Sequence, residues 1–434
     1  MKKLLLGTIT IIILIFIYIS NYEFIKNTKT FNKLKKTLAY SLSSNVSTFI
    51  RIITNVDGHL FEHYNNDYKV KFLPATQFID LDIKKIKLDF LTKHLWGYRY
   101  SFDLIEDYLV IATPEGQFYI ESISKIINND EDQINFKKLK TNLEDLILPG
   151  NLLKDGITDI FINDKKIYIL AHEKKNNCNT IYLYSGSFNL NSINFENIFS
   201  TKKIIECVDK GTSPGRIQAL KVNGEKNLLV SFSNKQQAAD VYKEMSELEN
   251  ESIEDFGSIL SINEKTKEFK VYAKGFRNSK GLYVDEKVIM STDNGPRGGD
   301  EINKVIENKH YGWPYASYGE RYKKFDRPTY KKDHKKYGFQ EPVHSFIYAL
   351  GMGEIIKLDN SFSEYWQNNF LVSTLNSKHL LRLKFDDEFN RIIYNEKIFI
   401  GERVRDLKYN SKNKKIFIGL NSTGSLGIIS KKEK

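Results

Sequence analysis

The chain has 434 residues, a formal net charge of +11, 41% hydrophobic residues and 27% charged residues. This balance excludes an intrinsically disordered chain, a collagen and a polytopic membrane protein. Only two cysteines are present, which excludes a disulfide-rich scaffold and a zinc site built from several cysteines.

The amino terminus begins with two lysines followed by an uncharged run over residues 4–20 that is rich in Ile and Leu. A membrane-spanning helix needs about 17 to 20 such residues, whereas a cleaved signal peptide has a shorter apolar region that ends at small residues. The run ends in Tyr-Ile-Ser-Asn, a poor cleavage site. The sequence therefore predicts an uncleaved signal anchor, a transmembrane helix over residues 1–22, in preference to a cleaved signal peptide. The two lysines favour an amino terminus inside the cell.

The positive charge lies mainly at the two ends of the chain. Seven lysines and one glutamate give residues 1–40 a charge of +6, residues 431–434 add +2, and the remainder carries only +3. No nucleic-acid-binding motif accompanies this charge, so we expect no nucleic acid partner. We expect a basic stalk and lead-in over residues 23–90, contact with a membrane through the amino-terminal helix, and a main domain outside the cytoplasm, in a bacterial periplasm or at the cell surface. Cleavage of the first segment would instead make the protein secreted.

Beyond residue 90 one pattern recurs six times, an alternating run followed by a polar turn and a second apolar run. The copies cover residues 98–111, 157–170, 217–232, 281–291, 352–373 and 404–420. Their second apolar runs are about 61 residues apart on average, a period that favours propeller blades over a β-sandwich or two unrelated β domains. The sequence predicts an all-β fold, a six-bladed β-propeller over residues 91–430, preceded by the anchor helix.

Residues 275–322 contain three unusual pieces: Gly-Phe-Arg-Asn-Ser-Lys-Gly-Leu at 275–282, Asn-Gly-Pro-Arg-Gly-Gly-Asp-Glu-Ile-Asn at 294–303, and Tyr-Gly-Trp-Pro from 311. The glycine steps allow backbone carbonyls to turn inward, and carbonyls beside Asp and Glu suit Ca²⁺. Nearby arginines suit a planar ligand that carries carboxylates. Each piece alone is typical of a structural turn, but together they predict an oxygen-ligated metal beside an anionic ligand.

These pieces resemble the soluble quinoprotein aldose (glucose/sorbosone) dehydrogenases, six-bladed propellers that use pyrroloquinoline quinone (PQQ) and Ca²⁺. The family's Gly-Pro-Arg-Gly-Gly-Asp-Glu-Ile-Asn stretch is matched by residues 295–303, and its Tyr-Gly-Trp-Pro by residues 311–314. The resemblance implies cofactor contacts from Arg277, Asn278, Tyr322, Arg403 and Arg405. It implies calcium ligands in Glu301, the main chain of Tyr311 and the carbonyls of Gly295 and Pro296.

The chain departs from the family at the general base. The family has a histidine in His-x-(Gly/Ser)-Gly-Arg, whereas residues 212–216 read Thr-Ser-Pro-Gly-Arg, so Thr212 stands at the position of the base. Histidine can take a hydroxyl proton because its pKa lies near neutrality, whereas a threonine hydroxyl needs another base to activate it. A family lysine that contacts PQQ falls at about Asn376. For His172, beside an apolar strand end, the sequence leaves two interpretations, a histidine that enters the channel and a satisfied loop histidine, and it favours the second.

The resemblance implies an oxidoreductase that depends on PQQ and Ca²⁺ and oxidises a sugar, or another alcohol or aldehyde, by hydride transfer to PQQ. The amino-terminal helix predicted above would anchor this oxidoreductase in a membrane. Its partners would be a small-molecule substrate and an electron acceptor. Thr212 leaves a second hypothesis open, a non-catalytic propeller that binds a carbohydrate or other ligand. Cys178 and Cys207 either pair in an oxidising compartment or remain two buried thiols.

Overall fold

The structure is a computed structural model, in which the described residues all belong to one compact unit within residues 65–434. It describes residues 76, 79–94, 97–147, 152–175, 178–204, 207–208, 212–222, 224–235, 257–321 and 330–432. The predicted anchor at 1–22, most of the stalk and Tyr322 lie outside the described residues. Among the residues that are described, no helix is long and apolar enough to cross a membrane.

Strands make up most of the described chain. In chain order they are β1 (Leu81–Lys87), β2 (Lys93–His94), β3 (Gly97–Tyr98), β4 (Ser101–Ile105), β5 (Tyr108–Ala112), β6 (Phe118–Ser122), β7 (Lys137–Thr141), β8 (Leu152–Asn163), β9 (Lys166–Lys175), β10 (Cys178–Phe188), β11 (Ser192–Ser200), β12 (Thr212–Val222), β13 (Glu225–Asn234), β14 (Ser258–Asn263), β15 (Phe269–Lys274), β16 (Ser279–Val284), β17 (Ile289–Asp293), β18 (Asp300–Lys304), β19 (His344–Phe346), β20 (Met352–Lys357), β21 (Phe370–Thr374), β22 (His379–Phe385), β23 (Ile392–Phe399), β24 (Val404–Asn410), β25 (Lys415–Leu420) and β26 (Ser425–Lys431). The described helices are short: α1 (Ile123–Asn128), α2 (Leu143–Leu146) and the 3₁₀ segments Thr201–Lys203, His334–Tyr337 and Glu364–Trp366.

The strands form six consecutive four-stranded units: β4–β7, β8–β11, β12–β15, β16–β19, β20–β23, and β24–β26 with β1. The first strand of each unit contacts the first strand of the next, and β24 contacts β4, so the ring closes. A parallel pairing between β7 and β11 also joins the first two units edge to edge. A closed ring of six four-stranded sheets is the architecture of a six-bladed β-propeller.

Each of the six sequence repeats corresponds to the first hairpin of one blade, β4–β5 for the first repeat and β24–β25 for the last. Alternate side chains of these hairpins face the neighbouring sheet. Leu170 of β9, for example, packs in one cluster with Ile217 of β12 and Val230 of β13. Burying an aliphatic side chain in this way contributes about 1.5–3 kcal/mol, so the contacts between blades supply much of the stability.

The last blade is completed by a strand from the amino-terminal side of the domain. β1 pairs antiparallel with β26, in a register that runs from Leu81 opposite Lys431 to Lys87 opposite Ser425. The predicted propeller begins at residue 91, ten residues after the first residue of β1. The three lysines of β1 resemble the preceding basic segment, and lysines are common on edge strands, so local composition does not reveal this pairing.

Cys178 and Cys207 form a disulfide, with their Cα atoms 5.0 Å apart. The bond joins the beginning of β10 to the segment that leads to β12, where Val208 also bridges to Asn179. Of the two alternatives left open by the sequence, the structure has the paired form.

Candidate functional site

Contacts between neighbouring blades bring the beginnings of the first strands together with the ends of the second strands. Lys280, near the start of β16, donates a hydrogen bond to the carbonyl of Pro214, near the start of β12, at 2.7 Å. Thr292, near the end of β17, donates to the carbonyl of Gly353, near the start of β20, at 2.8 Å. We call this end of the ring the mouth. Residues from several blades can meet there.

Five cationic side chains gather at the mouth: Arg99 before β4, Lys235 after β13, Arg277 before β16, Lys280 in β16 and Arg405 in β24. They are close enough to repel one another, since Arg277, Arg99 and Arg405 disfavour the charge of Lys235, while Lys235, Arg405 and Arg99 disfavour that of Lys280. Like charges at this separation are unfavourable unless an anion neutralises them. The mouth is therefore suited to a ligand with several negative charges.

The energetic cost of this crowding is visible at Lys280 and Arg405. Burial lowers the pKa of Lys280 well below its ordinary value of 10.5, and repulsion from Lys235, Arg216 and Arg405 lowers it further. Burial and repulsion from Arg99 and Arg403 also lower the pKa of Arg405. A guanidinium keeps its proton in proteins, so the lowered pKa of Arg405 means that its charged form is destabilised at this position. A bound anion would relieve this destabilisation.

Two of the predicted cofactor contacts, Arg277 and Asn278, lie in the turn before β16. Their backbone N–H groups donate to the carboxylate of Asp293. The Arg277 side chain donates to the carbonyls of Asn294 and Gly295 at 2.6 and 3.0 Å. The Asn278 Oδ1 is buried and has no hydrogen-bond partner among the described residues. The turn is thus held firmly while one polar atom of it remains available to a ligand.

The other two predicted cofactor contacts that lie within the described residues, Arg403 and Arg405, belong to the last blade. Arg403 Nη1 donates to Asn376 Oδ1 at 3.2 Å, and both arginines donate to Asn421 Oδ1 at 3.4 Å. The Arg405 Nε is buried and, in the described part of the chain, lacks an acceptor. Asn376, the position at which the resemblance implied a lysine, therefore supports Arg403, while Lys235 and Lys280 add positive charge from other blades.

A buried ion-pair network lies on the central axis of the ring and joins four blades. Arg216 of β12 lies 2.7 Å from Asp159, 3.2 Å from Glu354 and 3.2 Å from Asp406, which belong to three other blades. Since one side chain reaches the first strands of three other blades, Arg216 must lie at the centre of the ring. Its backbone segment begins with Thr212, so the network also fixes the strand on which the position of the family base lies.

Beside Arg277 lies a cavity that is lined by Asp293, Gly295, Glu301 and Tyr311, among others. Glu301, in β18, is buried, and its carboxylate accepts a long hydrogen bond of 3.5 Å from Asn303. Burial raises the pKa of Glu301 well above its ordinary value, and repulsion from Asp293 adds to the effect. A buried carboxylate in a cavity that it shares with another acid fits a cation ligand.

The turn before Glu301 depends on two glycines. Gly298 and Gly299 have φ angles of +93° and +66°, and a Cβ atom at either would overlap the backbone of Ile347 or of Gly319. Only glycine combines these angles with so close an approach. The Gly-Gly step of the sequence motif therefore has a structural function, which is to bring β18 and Glu301 against the neighbouring loop.

The four predicted calcium ligands are only partly brought together. Gly295, Glu301 and Tyr311 line one cavity. The carbonyl of Gly295 already accepts from Arg277, and that of Pro296 accepts from the backbone N–H of Glu320 at 2.7 Å. Within the described residues, no three His, Cys, Asp or Glu side chains form a metal-binding group. A cation in this cavity would thus be held by the Glu301 carboxylate and main-chain oxygens.

The position of the family base lies at the mouth on β12, and β9, which contacts β12, contains a histidine. Thr212 is the buried first residue of β12 and pairs with Asn234, the residue before Lys235. His172 lies within β9 and is only 5% exposed, and neither of its ring nitrogens has a hydrogen-bond partner in the described part of the chain. The prediction of a satisfied loop histidine was therefore wrong.

Sequence reasoning also missed the additional cations. Lys280 lies in the same sequence piece as Arg277 and Asn278, two residues after Asn278, so its place in that piece could have marked it as a candidate. Arg99 and Lys235 lie outside the motif and reach the mouth only through the closure of the ring. No local pattern indicates that their charges meet.

We expect Lys280 to make the stability of the ligand-free protein depend on pH. Its pKa is lower in the folded protein than the ordinary 10.5, so the unfolded chain binds more protons and the free energy of unfolding rises with pH up to about 10. In Lys280→Met this contribution disappears. Between the lowered pKa of Lys280 in the folded protein and about pH 10, the wild type should gain up to about 1.4 kcal/mol per pH unit relative to the variant, measured by urea unfolding.

The exposed Lys270 is the matched control position, because it pairs with Glu307 at the surface instead of lying among other cations. If the unfolding free energies of wild type and Lys280→Met stayed parallel over this range, Lys280 would not carry the charge repulsion described above.

Comparison with known proteins places this geometry in context. The sequence profile described as Glucose / Sorbosone dehydrogenase matches residues 150–427. The chain is 26% identical to the aldose sugar dehydrogenase YliI of Escherichia coli over 153 residues, which are 34% of this chain and 40% of that protein. The matched regions span about a third and two fifths of the lengths of the curated relatives.

Two solved structures share the fold. The apo form of the soluble aldose sugar dehydrogenase from Escherichia coli has a TM-score of 0.62 at 17% identity, covering 82% of this chain and 100% of that one. The PQQ-bound aldose sugar dehydrogenase from Streptomyces coelicolor has a TM-score of 0.53 at 14% identity, covering 82% and 99%. At these identities the likeness establishes the fold alone.

Proposed function

The chain belongs to the glucose/sorbosone dehydrogenase family, and we propose that it is a PQQ- and Ca²⁺-dependent oxidoreductase that oxidises a sugar or another alcohol or aldehyde. The observation that carries the proposal is the charge distribution at the mouth. A cluster of cations from four blades lies directly beside a cavity with the buried carboxylate of Glu301. A planar tricarboxylate next to a divalent cation would neutralise both groups at once.

The cations at the mouth fit the quinone through its carboxylates. Arg277, Arg403 and Arg405 would bind them, with Lys235 and Lys280 adding charge. The Asn278 Oδ1 and the Arg405 Nε, both buried and without a partner in the described chain, offer one acceptor and one donor toward this ligand. When bound, the quinone supplies the two-electron acceptor, and the calcium ion supplies Lewis-acid polarisation. The protein supplies binding, orientation and removal of the substrate hydroxyl proton.

For the location of the protein, we propose that residues 1–22 anchor it in a membrane and that the propeller lies outside the cytoplasm. The disulfide between Cys178 and Cys207 supports this, because disulfides persist in oxidising compartments and are rare in the cytosol. The electron acceptor would then be reached from the outer side of that membrane.

A second function, a non-catalytic ligand-binding propeller, is favoured by one observation, which is that Thr212 occupies the position of the family base. Binding of PQQ alone does not distinguish the two functions. Turnover does, because a protein without a base would bind the cofactor but not oxidise a sugar.

Reconstitution tests the proposal. The purified full-length chain, in detergent, should shift the PQQ absorbance on addition of PQQ with Ca²⁺ and should reduce an artificial dye when an aldose is supplied. Omitting either PQQ or Ca²⁺ should abolish dye reduction. Cofactor binding with no turnover on any member of an aldose panel would favour the non-catalytic function, and the failure of PQQ to bind would refute the proposal.

We expect Glu301→Gln to remove the response to Ca²⁺. At a 100-fold excess over its dissociation constant, a ligand that binds only the folded state adds about 2.7 kcal/mol to the free energy of unfolding. The wild type should therefore melt at a higher temperature with Ca²⁺ than with EDTA, whereas Glu301→Gln should melt alike in both. Without Ca²⁺ the variant should be at least as stable as wild type, because a buried carboxylate with a raised pKa has been removed.

Glu307, exposed and paired with Lys270, provides the matched control, since Glu307→Gln should keep the full Ca²⁺ response. A Ca²⁺ response that persisted in Glu301→Gln would show that the cation binds elsewhere.

A further inference from the structure

The orientation of His172 follows from its strand. Tyr168 and Leu170 alternate with His172 in β9, and both pack with Ile217 and Val230 of the next blade. Because every second side chain of a strand points to the same face, His172 also faces that blade, and β9 contacts β12. Glu173 is on the opposite face, where it accepts a hydrogen bond from Tyr184.

Two charged groups place His172 near the beginning of β12. Lys280 and Lys235 both repel the protonated form of the imidazole. Lys280 donates hydrogen bonds to the Ser213 hydroxyl and the Pro214 carbonyl, and Lys235 follows the residue that pairs with Thr212. His172 on β9 and Thr212 on β12 therefore lie at the same part of the mouth.

The imidazole of His172 is chemically free. Buried polar side-chain atoms are nearly always hydrogen-bonded, yet neither ring nitrogen of His172 has a partner among the described residues. A neutral imidazole has one nitrogen that can accept a proton, and nothing described in the structure competes for it. Lys280, one of the two lysines near Thr212, already donates two hydrogen bonds.

The charge state also suits a base. Burial lowers the pKa of His172 to about 4, and Lys280 and Lys235 lower it in the same direction. The ring is therefore neutral near pH 7. A polyanion bound between these two lysines would cancel their repulsion and raise the pKa of His172 toward neutrality, where general-base catalysis is most efficient.

We propose that His172, from the second blade, is the general base that replaces the family histidine lost at Thr212. His172 has this role only if the proposed function holds. In the reaction, the free imidazole nitrogen would take the proton of the sugar hydroxyl. The bound quinone would supply the acceptor for the hydride on the carbon that carries this hydroxyl, and that carbon would become a carbonyl. The imidazolium later returns its proton to solvent, so protons and electrons balance.

The test compares His172→Gln with wild type in the full-length protein with PQQ and Ca²⁺. Gln is close in size and cannot act as a base. We expect the PQQ dissociation constant to change less than threefold, kcat to fall about 100-fold or more, and the acid limb of the kcat profile to disappear. His379→Gln is the matched control, because His379 is another buried histidine whose pKa burial lowers to about 4, and it should keep kcat and the acid limb.

A second readout does not use turnover. The ¹³Cε1 resonance of His172, identified by its loss in His172→Gln, should titrate at a higher pKa with PQQ than without it. Two results would overturn the proposal and leave the proposed function intact, provided that the wild type binds PQQ. One is a kcat of His172→Gln within threefold of wild type, and the other is the loss of turnover in Thr212→Val alone. A wild type that does not bind PQQ would overturn both. Unfolding curves of each variant verify that it is folded, and His172→Asn provides a second substitution if His172→Gln is not.

Discussion

Replacing Arg216 with methionine is expected to lower the free energy of unfolding by about 3–5 kcal/mol. The substitution keeps the length and the apolar stem of the side chain but removes the cation between Asp159, Glu354 and Asp406, all of which are buried. Removing one member of a buried ion-pair network leaves uncompensated charge in a poorly hydrated environment. Urea unfolding at pH 7, followed by tryptophan fluorescence, measures the loss.

The loss should shrink as the pH falls. Burial raises the pKa of Asp159 to about 6 and that of Glu354 to about 7 even beside Arg216. Without the arginine these acids bind protons more readily in the folded state, so the variant recovers stability relative to wild type between pH 7 and pH 5. A deficit that did not depend on pH in this range would indicate lost packing instead of unpaired carboxylates.

Arg382 provides the matched control, because it is equally buried but pairs with one carboxylate, that of Glu396, and with Asn369. Arg382→Met should cost clearly less than Arg216→Met, since Glu396 is partly exposed and can be hydrated once its partner is gone. An equal loss of unfolding free energy in the two variants would mean that the pairing of Arg216 with three carboxylates contributes no more to stability than the single ion pair of Arg382.

The repeat pattern made the blades predictable, because each first hairpin alternates apolar and polar residues within one short segment. β1 was not predictable in this way, because its partner β26 is more than 300 residues away and nothing in its own lysine-rich sequence distinguishes it from the stalk. The disulfide was not predictable for the same reason, because Cys178 at the beginning of β10 is brought next to Cys207 only in the folded chain.

The candidate site was predictable where its residues lie within the unusual pieces of residues 275–322, as Arg277, Asn278 and Glu301 do. It was not predictable where the ring brings distant segments together. Lys235 and His172 carry no motif, and their significance arises from charges and unpaired nitrogens that meet only after the blades close. A substitution at one family position, Thr212, could be recognised from the sequence, whereas a compensating group on another blade required the three-dimensional arrangement.

Replacing Arg405 with methionine is expected to weaken the binding of PQQ about 100-fold or more. Arg405 lies among the cations of the mouth, and truncating one partner of a buried charge pair costs about 2–5 kcal/mol, where each 1.4 kcal/mol is a factor of ten. Titration of the full-length protein with PQQ, followed by the quinone absorbance, measures the dissociation constant.

The same variant should not destabilise the ligand-free protein, because Arg405 is repelled there by Arg99, Arg403 and Arg216. Loss of affinity together with unchanged or increased stability separates a binding role from a structural one, since a purely structural arginine would lose both. Arg391, which is 78% exposed and pairs with Asp386, is the control, and Arg391→Met should change neither quantity. A dissociation constant within threefold of wild type in Arg405→Met would mean that the carboxylates of the quinone are held by other cations and that the positive cluster serves another anion.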